Sequence, residues 1–319
     1  MNIDPEIEKR LEQLNKKYEA TGQDMMSYLD GLLYMDYLKY WDYVHTDTLL
    51  SLQNPRTNFP DEKIFIIYHQ ITELFFRLCV HEYEQISDKQ NVTADYLIRK
   101  VKRIVHYFDG LNTTYGIMID GMEKEQFLKF RMALLPASGF QSAQYRMIEI
   151  YSTDMKNLVH HEYIQKNPAT DKATPKELYE HIYWKTGATE LATGRKTLTL
   201  KQFEEKYSEQ FLQLAEKCST GNLYAKYRTL TAEEKKNKEL IQLMRDLDSN
   251  INVNWCLQHY KSAVRYLQGD PDIIAATGGT NWQKYLPPRF QKIIFFPELW
   301  TEKEKEEWGK AWVEHTLKG

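Results

Sequence analysis

The sequence predicts an all-α fold, read as one helical domain over residues 1–319, and three observations carry that expectation. Apolar residues recur at steps of three and four in one stretch after another, the period of a helix that buries one face. Gly and Pro number only 14 and 10, too few breaks for a turn-dense all-β chain. The chain also carries 22 tyrosines, 13 phenylalanines and 7 tryptophans, an aromatic supply suited to wide contacts between helices.

Asp4 before Pro5 reads as an N-cap with proline at the first helical position. Ile7, Leu11 and Leu14 then follow at helical spacing as far as Thr21-Gly22. A second helix is expected from about 25 to 43, carrying Tyr34, Tyr37, Tyr40 and Tyr43. Residues 1–39 are read as an N-terminal helical arm. The prolines between Asn54 and Pro60 mark a loop. From Asp61 the pattern is a long helix, with Asp61 and Glu62 where the helix dipole favours acid. Ile64, Ile67, Ile71, Leu74 and Leu78 form a stripe expected to face the core, and Phe65, His69 and Phe76 fall on a second face. Phe65 and His69 should touch, four residues apart, and a helix apolar on two faces should place His69 in the interior. Further helices are expected at about 94–109, 123–135, 140–152, 175–184, 201–217, 232–268 and 302–317. Leu135-Pro-Ala-Ser-Gly139 interrupts two of them. The stretch of about 152–200 is polar without a clear period and is read as an insertion. Thr277-Gly278-Gly279 reads as a loop before Pro287-Pro288.

Charge and cysteine exclude whole classes. Lys and Arg total 42 against 45 Asp and Glu, a net charge of −3, so there is no basic footprint for nucleic acid. No uncharged apolar run approaches the ~18 residues that span a bilayer, and the first residues lack the apolar core of a signal peptide. Three widely spaced cysteines make neither a disulfide framework nor a CxxC site. The expectation is a cytoplasmic protein with no nucleic-acid or membrane partner.

Among the nine histidines there is no His-Glu-x-x-His and no paired Glu-x-x-His. His160-His161-Glu162 could suggest a metal, but neighbours on a helix point apart, and Glu177 with His181 reads as a surface pair. His69 and His259 remain. Periodicity alone favours a satisfied core histidine for each. A neutral imidazole can also bind haem iron from one side while a second histidine lines the other. Arg131, in Phe127-Leu-Lys-Phe-Arg131, presents a fork suited to a carboxylate, although a surface arginine fits the same pattern.

The motifs add more. Phe65-Ile-Ile-Tyr-His69-Gln-Ile-Thr-Glu73-Leu resembles the distal helix of the tryptophan 2,3-dioxygenases. Phe130-Arg131-x-x-Leu134-x-Pro136-Ala-Ser138-Gly139-Phe-Gln141-Ser142-x-Gln144-x-Arg146-x-x-Glu149 resembles that family's most distinctive stretch. Tyr40-x-x-Tyr43 with Leu49-Leu50-Ser51-x-Gln53-x-Pro55, then Trp255-x-x-x-His259, Thr277-Gly278-Gly279 and Phe296-Pro297-Glu298-Leu299-Trp300, are similar to its other landmarks and stand in the same order.

The resemblance implies an all-α homotetramer, a dimer of dimers, with one haem b per chain. It implies insertion of both atoms of dioxygen into L-tryptophan to give N-formylkynurenine. His259 would ligate the iron, with Trp255 beside it. His69 would lie near the indole nitrogen, Phe65 would pack on the indole, Phe127 would bind substrate near its carboxylate end or the haem, and Arg131 and Thr277 would hold the amino-acid end. Leu134, Ser138 and Gly139 would line the haem, and Tyr40 and Tyr43 would reach a neighbouring subunit's site. Phe127 stands where many relatives carry tyrosine, Ala137 replaces a serine seen in some, and the stretch from His259 to Thr277 is longer than usual. Another indole as substrate, or a non-catalytic haem protein, are the alternatives.

Overall fold

The computed structural model describes residues 3–35, 39–134, 139–167, 170, 173–188, 195–267 and 287–309. Among them helices dominate and no strand forms; one isolated antiparallel bridge joins Val159 and Ile182. The chain divides into two compact units, Met1–Gln53 and Asn54–Gly319.

In the first unit α1 (Pro5–Ala20) starts as its sequence predicts, with Asp4 accepting the Glu6 N–H and Pro5 at the first position. Asp24 caps α2 (Met25–Tyr34) through the N–H groups of Met26 and Ser27. The helix expected to run on to residue 43 stops there, because Met35 turns extended. Tyr37 lies outside the described residues. The chain resumes as α3 (Tyr40–Val44), and His45, in the left-handed region at φ 55°, separates it from α4 (Thr46–Leu50). None of these helices buries a residue: Leu33, Tyr34, Tyr40, Tyr43 and Leu50 are each more than 70% exposed.

The second unit is organised by α5 (Asp61–Asp88), which packs against α6 (Ala94–Thr114) and, after α7 (Gly116–Asp120) and α8 (Lys124–Phe130), against α9 (Ala143–Ser152). The acids that open α5 are anchors as well as dipole partners. Buried Glu62 accepts the N–H groups of Arg56 and Thr57, both at 2.8 Å, folding the preceding loop over the helix start. Asp61 accepts the Glu123 N–H at 2.6 Å and donates its own to Gln126, which fastens the start of α8 to the start of α5.

The expected core stripe of α5 is corrected by the structure. Ile67, Leu74 and Leu78 are 39%, 52% and 45% exposed. The buried face carries Tyr68, Thr72, Phe76, Cys79, Val80 and Tyr83 instead. Aromatic rings bury more apolar area than aliphatic chains, and the two hydroxyls are satisfied inside, Tyr68 on the Leu111 carbonyl and Tyr83 against Ser152.

The stretch of about 152–200 supplies core rather than only polar surface. Met155, Leu158, Val159, Leu178, Tyr179, Ile182 and Trp184 are all buried. It folds as α10 (His161–Lys166), α11 (Pro175–Glu180) and α12 (Tyr183–Gly187), elements too short to print a period. A Thr174–Glu177 capping box opens α11, so Glu177 is a cap rather than a partner of His181. His160 precedes α10 with extended backbone, which lets its ring stack on His161 at 4.7 Å rather than point away.

After α13 (Leu198–Lys217) and α14 (Leu223–Thr229), the helix expected over 232–268 is broken. It comprises a 3-10 turn at Glu234–Lys236, α15 (Lys238–Ser249), a π turn at Asn250–Asn254 and α16 (Trp255–Leu267). Two short helices follow, α17 (Pro288–Gln291) and α18 (Glu302–Glu306); the helix expected over 302–317 stops at Glu306, where Glu307–Gly309 turn and Gly309 takes φ 74°, and residues from 310 on lie outside the described residues.

Candidate active site

His69 and His259 sit in one aromatic neighbourhood. The ring of His259 lies 4.6 Å from Trp255 and 4.9 Å from Tyr115. Tyr115 stands 5.6 Å from Tyr68, itself 6.5 Å from His69. His69 packs on Phe65 at 4.0 Å, as their spacing predicts. Phe65 continues to Phe130 at 5.8 Å and Phe127 at 6.5 Å, and Phe127 to Tyr266 at 4.5 Å.

Both imidazoles are held the same way. His69 Nδ1 lies 2.7 Å from the Phe65 carbonyl and His259 Nδ1 lies 2.8 Å from the Trp255 carbonyl, each four residues back. A carbonyl only accepts, so Nδ1 carries the proton and Nε2 keeps its lone pair. Burial lowers the pKa of both rings. That of His259 falls to about 4, with a smaller push from nearby His69. Each ring is therefore neutral near pH 7. His69 is not interior as expected: although hemmed in by Phe65 and Tyr68, it retains a solvent-accessible face, because α5 turns Tyr68 and Thr72 into the core in its place.

Arg131 follows α8 in a 3-10 turn (Arg131–Leu134) and is 5% exposed. Burial lowers its pKa, but a guanidinium stays cationic under such a push. Leu134 ends that turn, half-buried against the core. Gly139 opens a further 3-10 turn, and a Cβ built there would meet nothing within 4 Å. This chain's own packing therefore does not demand a glycine at 139. Ser138 and Thr277 lie outside the described residues. Tyr40 and Tyr43 sit exposed on α3 of the first unit.

Other motif residues hold this frame together. Gln144 Nε2 donates to the Glu73 carbonyl at 2.8 Å and to its carboxylate at 2.9 Å, joining α9 to α5. Arg146 pairs with buried Glu149 at 3.0 Å and stacks on Tyr145. Tyr115, Tyr68 and Phe130 line the site although no spacing argument singles them out. The adjacency of Tyr68 to His69 and of Phe130 to Arg131 was the only available signal.

The residues fit a haem. A neutral imidazole with Nδ1 pinned to a carbonyl is a pre-oriented iron ligand through Nε2. The wall of rings around it is apolar, and Gly139 leaves backbone open to close approach.

Comparison with known proteins shows what the chain is similar to. The profile of the family described as tryptophan 2,3-dioxygenase matches residues 27–178. A tryptophan 2,3-dioxygenase of Ruegeria sp. (strain TM1040) is 29% identical over 289 residues, 87% of this chain and 92% of that protein. One from Ruegeria pomeroyi is 28% identical over 262 residues, 81% and 89% of the two chains. One from Anaeromyxobacter sp. (strain K) reaches 36% over a shorter stretch of 104 residues, 32% of this chain and 39% of that protein. In sequence the chain is similar to the tryptophan 2,3-dioxygenases over most of its length, and its helices bring two imidazoles into one aromatic neighbourhood.

Proposed function

We propose that this chain is a haem-dependent tryptophan 2,3-dioxygenase, joining dioxygen to L-tryptophan to give N-formylkynurenine. The carrying observation is the pair of neutral histidines, His69 and His259, each with Nδ1 pinned to a helix carbonyl and Nε2 left as the working nitrogen. His259 would hold one haem b, with Trp255 packed edge-on beside it. Bound haem supplies the activation of dioxygen, whose two atoms both end in the product, so no external reductant is consumed per turnover.

The protein's own residues do the rest. His69 Nε2 accepts a hydrogen bond from the indole N–H, since its Nδ1 proton is committed to Phe65. Phe65 and Phe127 flank the ring and keep water away. Arg131 meets the carboxylate; a zwitterion taken out of water needs its charges paired, and a charge-assisted bond of this kind contributes roughly 1.5–3 kcal/mol. By the motif match Thr277 would help hold the amino-acid end of the substrate, and Ser138, Gly139 and Leu134 would line the haem.

We read the assembly as a homotetramer in which Tyr40 and Tyr43 complete a neighbouring site. The outward stripe Ile67, Leu74, Leu78 and the uncovered side chains of α2 and α3 support that reading, because apolar surface of this extent suits a partner chain. A cytoplasmic location accords with three free thiols.

The test uses haem-loaded, reduced protein in air-saturated buffer with L-tryptophan, followed by product absorbance, with D-tryptophan and indole as controls. Product from L-tryptophan is expected. A clean ferrous-haem spectrum without product would refute the activity and turn attention to other indoles.

A further inference from the structure

We propose that the π turn Asn250–Asn254, locked by asparagine side chains, is what aims His259, which makes Asn250 and Asn254 positioning residues for the haem ligand. The inference rests on the reading of His259 as that ligand.

The turn departs from α geometry at one definite place: the Trp255 N–H donates to the Asn250 carbonyl, five residues back rather than four. A π turn accommodates one extra residue, and each residue turns a helix by roughly 100°. The side chains of Leu240, Met244 and Leu247 on α15 are fully buried and define its core direction. Along an unbroken α-helix His259 would point roughly 60–120° away from those three. With one residue taken up in the π turn, it returns to within roughly 40° of each. The ligand thus shares the core-facing side of the helix because the turn is there.

Nothing intrinsic to Asn-Ile-Asn-Val-Asn favours this geometry; asparagine and β-branched residues merely weaken the α alternative. Two tertiary bonds select it, from Asn250 to Asp109 and from Tyr145 to the Ile251 carbonyl, and two side-chain bonds within the helix brace it. Asn250 Nδ2 donates to Asp109 Oδ1 on α6 at 2.8 Å, and Asn254 Nδ2 donates to Asn250 Oδ1 at 2.8 Å. Asn252 Nδ2 donates to Asp248 Oδ1 at 2.8 Å. The carbonyl of Ile251, whose α partner would be the Trp255 N–H, accepts the Tyr145 hydroxyl at 3.3 Å. From the turn the orientation passes to Trp255, whose carbonyl holds His259 Nδ1. Asp109 on α6 is in this way linked to an imidazole on α16 through two side-chain bonds and one turn of backbone.

The experiment measures haem affinity by titration and the iron–histidine stretching band of the ferrous protein, for the full chain and for Asn250→Ala. The same titration is repeated in a His259→Gly background complemented with imidazole, where the ligand is no longer tethered to α16. Asn250→Ala is expected to lower haem affinity by roughly 10- to 100-fold and to shift the band in the His259 chain, and to leave imidazole-complemented binding unchanged. Equal weakening in both backgrounds, or none in either, overturns the proposal. Asn254→Ala, which removes only the outer bond, carries the same comparison should Asn250→Ala fail to fold. Undiminished haem binding by His259→Gly without imidazole would instead overturn the ligand assignment itself.

Discussion

Asp248 offers the sharpest stability test in the fold. Its carboxylate is fully buried and accepts from four groups: Asn252 Nδ2 at 2.8 Å, the Phe295 N–H at 3.0 Å, the Phe296 N–H at 3.1 Å and the Trp300 indole N–H at 3.0 Å. Three of those donors belong to the segment after residue 287, so one side chain fastens that segment to the end of α15. Asp248→Ala leaves four buried donors without their acceptor while removing the cost of burying a carboxylate. A single unsatisfied donor costs about 1–3 kcal/mol, and breaking a buried charged network about 3–5 kcal/mol, so a loss of about 3–5 kcal/mol near pH 7 is expected. Urea unfolding followed by tryptophan fluorescence reads it directly, because Trp300 packs on Trp308 at 4.9 Å. A loss under about 1 kcal/mol would refute the reasoning. Burial pushes the Asp248 carboxyl up to about 6 against the pull of its donors. The folded chain therefore binds that proton more tightly than the unfolded one. The group's contribution is fullest below its ordinary value of 3.8 and declines as the pH rises through about 6. The penalty of Asp248→Ala should accordingly be larger near pH 5 than near pH 7.

Other predictions follow from single contacts. His259→Ala should abolish stable haem binding in a spectral titration, whereas His69→Ala should keep the haem and lose only part of the activity; the reverse pattern would exchange their roles. Arg131→Ala should lower kcat/KM for L-tryptophan by roughly 10- to 150-fold, while binding of indole, which lacks the carboxylate, stays unchanged in competition assays. Burial pushes the Glu82 carboxyl up, but bonds from Lys100 at 2.7 Å and Arg103 at 3.0 Å override it and hold its pKa below the usual 4.5. Glu82→Gln should cost about 1–3 kcal/mol at neutral pH, a difference that fades as the pH falls below about 4.5 and the native carboxyl protonates. Paired Leu74→Glu and Leu78→Glu substitutions should yield a smaller species on size-exclusion chromatography; an unchanged elution volume would remove α5 from the interface.

Much of the site was legible because it is written in local spacing. Phe65 and His69 stand four apart on a helix, and so do Trp255 and His259; in each pair the ring and the carbonyl meet as that spacing requires. The caps were legible for the same reason: Asp4 with Pro5 needs only its own neighbours. Which face of α5 is buried was not, since aliphatic and aromatic stripes both repeat at helical intervals. The choice depended on what α6 and α9 present to it. Nor was the core of about 152–200, whose short helices give periodicity too few turns to register.

The sequence by itself determined the helical class, the starts of about half of the helices, and the kinds of groups proposed for the site: two imidazoles, a guanidinium and a set of rings. These follow from residue type and near-neighbour spacing, which every conformation of the chain shares. The tertiary structure decided the directions in which those groups act. Asn250 can bond Asp109 only once α15 lies along α6, and Asp248 can gather Phe295, Phe296 and Trp300 only once distant segments meet. A change of phase in a helix shifts the apolar spacing by about 100° without saying at which residue, so the bonds between distant segments settle where the turn lies and where His259 points.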